Sequence, residues 1–231
     1  MKNIKAVFFD LDHTLWDFDT NSRETLQELY VDFKLEEIGV ISSLAFIESY
    51  IEINHRMWDQ YDNGVITKEF LRTGRFQEAL SAHNVYDNIL VDDLASSYLS
   101  RCPLKGNVMK GTFAILDYLS DKYELHIITN GFLEVQHIKL KSGQLADYFK
   151  HIHISEEVGY KKPHRKIFDH AVRLANTDHD RCVMIGDNPA TDIKGALNAG
   201  VNAVLFDPEE KHKEVVNAEK VTTLTELVKF L

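Results

Sequence analysis

Three separated fragments carry the residue types best suited to chemistry: Asp10-Leu11-Asp12-His13-Thr14, Thr129-Asn130-Gly131, and Lys162-Pro163 followed by Gly186-Asp187-Asn188-Pro189-Ala190-Thr191-Asp192. A carboxylate can attack phosphorus and hold the phosphoryl group covalently, which makes Asp10 the candidate nucleophile. Asp12 shares the face of Asp10 in an extended backbone, and the turn after it can bring it toward a leaving group as acid and then toward water as base. Thr129 and the backbone N–H groups around Asn130 and Gly131 can bind phosphate oxygens, and Lys162 supplies a point charge. Asp10, Asp12, Thr129 and Lys162 form the candidate catalytic set.

A phosphomonoester dianion facing Asp10 meets repulsion of about 4 kcal/mol per charge pair at ~4 Å and an effective dielectric of about 20. A hard divalent cation held by Asp10, Asp187 and the phosphate relieves it, and such oxygen ligation suits Mg²⁺. Asp192 is expected behind these groups, ordering a metal-bound water or Lys162, with Asn188 beside it as a helix N-cap. Trp16 and Phe18 can stack on a nucleobase at the mouth of the site or pack into the core, and the sequence weighs the two equally. His13, inside the first motif, could shuttle protons, but a lone histidine usually has no catalytic task; the remaining histidines have no metal-site spacing and are read as structural or exposed. Arg72 and Arg75 are read as surface arginines in preference to substrate contacts.

Each fragment follows an apolar run with the character of a buried parallel strand: Ile4 to Phe9, Leu125 to Ile128, His151 to Ile154 and Cys182 to Ile185. Ligands of open α/β sheets bind beyond the carboxyl ends of the strands, so distant fragments can share one crevice. Strand and helix alternate again from about Gly106 to a last strand near Ala203 to Phe206, the rhythm of a parallel sheet. Residues 20–103 instead show four helical stripes: Leu26, Leu29, Tyr30 and Phe33; Phe46, Tyr50, Ile53, Met57 and Tyr61; Phe70, Leu71 and Leu80; Leu94, Tyr98 and Leu99. The expected fold class is therefore α/β, a parallel-sheet core (1–19 and 104–231) with an inserted helical bundle (20–103).

These fragments resemble, in type, order and strand position, the four motifs of the haloacid dehalogenase-like hydrolases. The resemblance spans the chain. It implies a Rossmann-like core with a helical-bundle cap domain inserted after the first motif, Mg²⁺ and an aspartyl-phosphate intermediate, with Asp10 as nucleophile, Asp12 as acid/base, Thr129 and Lys162 on phosphate, Asp187 on the metal and the Asp12 carbonyl as a further metal ligand. The stretches Ile127 to Phe132, Ile154 to Gly159 and Lys162-Pro163 are similar to the branch of bacterial 5′-nucleotidases acting on pyrimidine nucleoside monophosphates.

Composition narrows the partners. Over 231 residues, 26 basic side chains face 36 acidic ones for a net charge of −10, which disfavours nucleic-acid polymers and anionic membranes. The expected partner is a small phosphomonoester such as a nucleoside monophosphate. Two cysteines without CxxC spacing, no apolar run of membrane-spanning length and no room for a leader before the first strand suggest a reducing, cytoplasmic setting. Rival readings are a phosphatase for phosphoglycolate or a sugar phosphate, a phosphosugar mutase, a 2-haloacid dehalogenase and a phosphoacceptor signalling module. Halide displacement gives Asp12 no task, and a receiver would carry its acceptor on a central strand with no helical insertion after the first strand.

Overall fold

The computed structural model describes residues 3–212 and 217–231; Met1 and Lys2, in the stretch read as too short for a leader, lie outside them. The chain forms two compact units, Met1–Phe18 with Gly106–Leu231, and the continuous insertion Asp19–Lys105.

The insertion is built on four helices, α1 (Phe18–Asp32), α2 (Ser43–Asp62), α3 (Lys68–Ser81) and α4 (Asn88–Arg101). Three of them start at side chains that accept orphan N–H groups: Ser42 from Ala45 (3.2 Å), Thr67 from Phe70 (3.2 Å) and Asp87 from Ile89 and Leu90 (2.9 and 3.1 Å). Leu26, Leu29, Phe46, Tyr50, Met57, Leu71, Phe76, Leu80, Leu94 and Tyr98 are buried. Two side chains depart from the expected pattern. Phe70 is exposed, and Arg75, read as a surface arginine, is only 5% exposed. The buried stripe of α3 runs through Leu71, Gly74, Arg75, Phe76, Ala79 and Leu80, so it lies one residue away from Phe70 and includes a charge. Arg75 Nη1 donates to Asn54 Oδ1 at 2.8 Å, and its guanidinium carbon lies 5.7 and 5.6 Å from the ring centres of Tyr50 and Tyr98.

The other unit is a parallel sheet of β1 (Ala6–Phe9), β2 (Glu124–Thr129), β3 (His151–Ile154), β4 (Cys182–Gly186), β5 (Asn202–Phe206) and β6 (Glu219–Val221), in the order β3-β2-β1-β4-β5-β6. This is a Rossmann-like order. The edge strand β6 had no apolar run to announce it, since Glu219 and Lys220 are exposed. Helices α5 (Thr112–Ser120), α6 (Leu133–Ser142), the short α7 (Ser155–Val158), α8 (Arg165–Leu174) and α9 (Lys194–Ala199) connect the strands. On one face Phe8, Ile128, Cys182, Met184 and Leu205 form a core with Ile167, Phe168, Ala171 and Val172 of α8 and Ala196 of α9.

That face also carries histidines. His126 and His153 are buried with their rings stacked, and His126 Nδ1 lies 3.2 Å from His153 Nε2, one ring donating to the other. His151 and His170 flank them, and Phe8 meets His126 and His153 edge-on. Burial and neighbouring imidazoles pull His126 down to about 4 and His153 to about 3, so both are neutral near pH 7.

Candidate active site

Register brings the fragments together. Phe9 pairs with Ile127 of β2 on one side and Ile185 of β4 on the other, so Asp10 leaves β1 level with Gly186, one residue short of Asp187 on the adjacent strand. The Asp10 N–H donates to the Ile185 carbonyl at 2.9 Å. The chain then turns tightly: the Leu11 carbonyl accepts from the N–H groups of Leu15 and Trp16 (both 2.9 Å), and His13 adopts a left-handed φ of 62°. Thr129 is the last residue of β2.

Lys162 organises the centre. It is 2% exposed, and its Nζ lies 2.6 Å from Asp10 Oδ1 and 2.7 Å from Asp192 Oδ1. Its backbone is held by the Asn130 side chain, whose Oδ1 accepts the Lys162 N–H at 2.8 Å and whose Nδ2 donates to the Lys162 carbonyl at 3.0 Å. Asp192 also accepts the Asn188 N–H at 3.1 Å, while Asn188 Oδ1 caps the following turn through Ala190 (2.9 Å) and Thr191 (3.1 Å). That turn, Pro189–Ile193, is a wide π-type turn leading into α9. Gly186 admits Asp192, because a Cβ there would lie 2.2 Å from Asp192 Oδ2.

Burial pushes Asp10 well above the usual carboxylate range against the pull of Lys162, with Asp192 and Asp187 adding to the rise. Asp187 is likewise raised by burial. Burial alone would lower Lys162, but Asp10 and Asp192 outweigh it and hold the ammonium above the ordinary lysine value. Carboxylate oxygens of Asp10, Asp187 and Asp192 lie within 4.8 Å of one another. Three carboxylates share one ammonium there, a deficit that a divalent cation on oxygen ligands fits. Both Asp192 oxygens already accept hydrogen bonds, so Asp10 and Asp187 are the better placed to ligate it. Thr14 Oγ1 donates to Asp187 Oδ1 at 3.2 Å and orients that carboxylate.

The Asp12 side chain is paired with a residue the motifs did not reveal. Lys139 Nζ lies 2.6 and 2.8 Å from the two Asp12 oxygens. Gln136, one turn earlier on α6, is fully buried and its Oε1 accepts the Thr129 hydroxyl at 3.3 Å. The Thr129 hydroxyl in turn accepts the Gly131 N–H at 3.0 Å, so that N–H, an expected phosphate donor, is engaged within the loop. A Cβ on Gly131 would lie 2.1 Å from Gln136 Nε2. Trp16 is completely buried, bridged by backbone to Asp12 and Val108, with Phe18 edge-on at 6.1 Å. This placement favours packing over base stacking for Trp16. The buried face of α6 held a signal for both missed residues: Val135, Gln136, Lys139 and Leu140 are half polar, and buried polar groups require partners.

Residues 4–200 match the haloacid dehalogenase-like hydrolase family. The pyrimidine 5′-nucleotidase YjjG of Escherichia coli (strain K12) is 34% identical over 229 residues, covering 97% of this chain and 96% of that protein. The pyrimidine 5′-nucleotidase PynA of Streptococcus pneumoniae (strain ATCC BAA-255 / R6) is 29% identical over 231 residues, covering 98% and 94%. The magnesium-bound crystal structure of the HAD-hydrolase YfnB from Bacillus subtilis aligns with a TM-score of 0.89 at 25% identity, over 100% of this chain and 99% of that one. Among the described residues no helix is long and apolar enough to cross a membrane. With the sheet order, the sequence of acidic fragments along it and this breadth of similarity in agreement, the chain belongs to the haloacid dehalogenase-like hydrolases.

Proposed function

We propose that this hydrolase is a Mg²⁺-dependent 5′-nucleotidase that removes phosphate from pyrimidine nucleoside monophosphates through an aspartyl-phosphate on Asp10. The observation that carries the chemistry is the Asp10 carboxylate held by Lys162 at 2.6 Å beside Asp187. The pyrimidine preference rests on similarity to two proteins named for that activity.

Asp10 attacks phosphorus in line, and Asp12 protonates the leaving 5′ oxygen and afterwards takes a proton from the attacking water. Lys162 binds and orients the phosphoryl oxygens, joined by the Thr129 hydroxyl when it turns from Gln136 Oε1 to the phosphate. Asp10, Asp187 and the Asp12 carbonyl would hold Mg²⁺, which when bound neutralises charge between carboxylates and phosphate. Asp192 and Asn188 keep Lys162 and the strand-end turn in place.

Phosphate release from UMP, dUMP, dTMP, purine nucleotides, phosphoglycolate and sugar phosphates, with Mg²⁺ or EDTA, tests this reading. Release favouring the pyrimidine nucleotides, dependent on Mg²⁺ and abolished by Asp10→Asn, is the expected result. Preference for another monoester would discard the substrate while keeping the mechanism. Activity surviving in Asp10→Asn would discard the covalent route.

A further inference from the structure

Lys139 has no task in the phosphoryl-transfer scheme, yet it is the second deeply buried lysine of the sheet unit, 6% exposed. Burying an ammonium costs several kcal/mol unless it is paired and hydrogen-bonded. Among the described residues its carboxylate partner is Asp12, gripped through both oxygens at 2.6 and 2.8 Å. The ammonium also lies 4.7 Å from the Trp16 ring centre and 5.6 Å from that of Phe18, which shield it from solvent. Lys139 stands in the last turn of α6, where a cation is favoured, and its carbonyl accepts the Gly143 N–H at 2.9 Å and the Ser142 hydroxyl at 3.1 Å. The stem is therefore fixed at one end and the ammonium at the other. The two aspartates of the first motif have separate lysines: Lys162 holds Asp10 and Lys139 holds Asp12.

We propose that Lys139 is the positioning residue of Asp12, fixing the direction in which this carboxyl group presents its proton to the leaving oxygen and later receives one from water. The proposal rests on the acid/base role assigned to Asp12. In the first half-reaction the ester P–O bond breaks, its electron pair stays on the leaving oxygen, that oxygen takes the proton of the Asp12 carboxyl group, and phosphorus bonds to Asp10. In the second, water oxygen bonds to phosphorus, Asp12 takes a water proton, and the bond from phosphorus to Asp10 breaks with its pair returning to Asp10. Because both Asp12 oxygens are within reach, Lys139 keeps one contact while the other oxygen carries the proton. Without Lys139 the carboxyl group can rotate and presents its proton in the productive direction for a smaller fraction of the time.

The test uses first-turnover release of the leaving group from phenyl phosphate and p-nitrophenyl phosphate by the full chain. Both carry an aryl group, but phenoxide needs a proton donor far more than nitrophenoxide does. Asp12→Asn should slow phenyl phosphate by about 100-fold or more and p-nitrophenyl phosphate much less. Lys139→Met should show the same asymmetry at about 10- to 100-fold, with KM within about threefold and partial recovery in Lys139→Arg. Equal losses on both substrates, or a change confined to KM, would overturn the proposal and leave Lys139 a structural residue. If Asp12→Asn shows no asymmetry, the acid role of Asp12 fails and the proposal falls with it, a distinguishable result. Should Lys139→Met not fold, Lys139→Gln, neutral but still polar, carries the same comparison.

Discussion

Asn130 holds the backbone of Lys162 at two points, accepting its N–H at 2.8 Å and donating to its carbonyl at 3.0 Å. A lysine whose charge must reach both Asp10 and Asp192 gains its precision from that anchorage as much as from its own side chain. Asn130→Ala should therefore lower kcat by about 10- to 100-fold, the cost expected when a catalytic group is displaced by about an ångström. Asn130→Asp, which retains the acceptor and loses the donor, should also lose activity, because a carboxylate oxygen would then face the Lys162 carbonyl. Steady-state kinetics of the two variants check this.

Gly186→Ala is expected to be severe although alanine suits an extended backbone. The new Cβ would lie 2.2 Å from Asp192 Oδ2 and 2.7 Å from Asp192 Cβ, so rotation of the carboxylate alone cannot relieve it. Overpacking of this kind costs about 1–3 kcal/mol, and here it also pushes Asp192 off Lys162. A lowered denaturation midpoint together with loss of phosphatase activity is the expected pair of results. Normal activity would mean that Asp192 does not hold Lys162 in place.

The histidine stack gives the sheet unit an acid limit. His126 and His153 are neutral in the folded chain down to about 4 and 3, whereas unfolded imidazoles protonate near 6.5. Between those values the unfolded chain binds more protons, so stability is full above about pH 6.5 and falls with decreasing pH, by up to about 1.4 kcal/mol per pH unit for each histidine. Glu124, Lys150, His151 and His170 are the other titratable groups facing the pair, and Arg173 faces His170. Denaturation followed from pH 7.5 to 4.5 should show this slope, and His126→Phe with His153→Leu should flatten it.

Arg75 offers a test within the helical insertion. Its contacts among the described residues are one amide oxygen and two tyrosine faces, so its charge is desolvated without a carboxylate to balance it. Arg75→Met should change bundle stability by no more than about 1 kcal/mol, since losing the charge offsets losing the hydrogen bond to Asn54. Arg75→Glu should destabilise strongly, by about 3 kcal/mol or more, because a buried anion would face Asn54 Oδ1 and the tyrosine rings. Thermal unfolding of the variants separates the two.

What the sequence disclosed followed from local pattern. Asp10, Thr129 and Asp187 stand at the ends of apolar runs, and an apolar run of strand length is legible without knowing its neighbours. Lys139 is hidden because its partner lies 127 residues away and nothing local marks a lysine on an amphipathic helix as inward-facing. Arg75 misleads for a related reason: a charge inside the buried stripe of α3 shifts the apparent face toward Phe70. Spacing alone puts the Asn130 side chain in the phosphate loop, whereas its bonds run to the Lys162 backbone, a pairing that emerges only once β2 and the Lys162 loop adjoin.

The placement of β1 governs the order in which the protein can be made. Ala6 pairs with Glu124 on one side and Cys182 on the other, so the central strand leaves the ribosome long before either neighbour exists. The insertion from Asp19 to Lys105 is one continuous stretch rich in local helical contacts and can fold during translation. Asp10 and Asp12 must then wait on an apolar strand that has no neighbour until β2 emerges and keeps one open edge until synthesis passes Gly186. Nascent chains stalled far enough beyond Lys105 for the whole insertion to clear the exit tunnel, but before Glu124 emerges, should resist proteolysis across 19–105 while leaving the Asp10 region cleavable. An unpaired apolar strand is a template for association with other chains, so the interval before its neighbours emerge is a hazard for this protein.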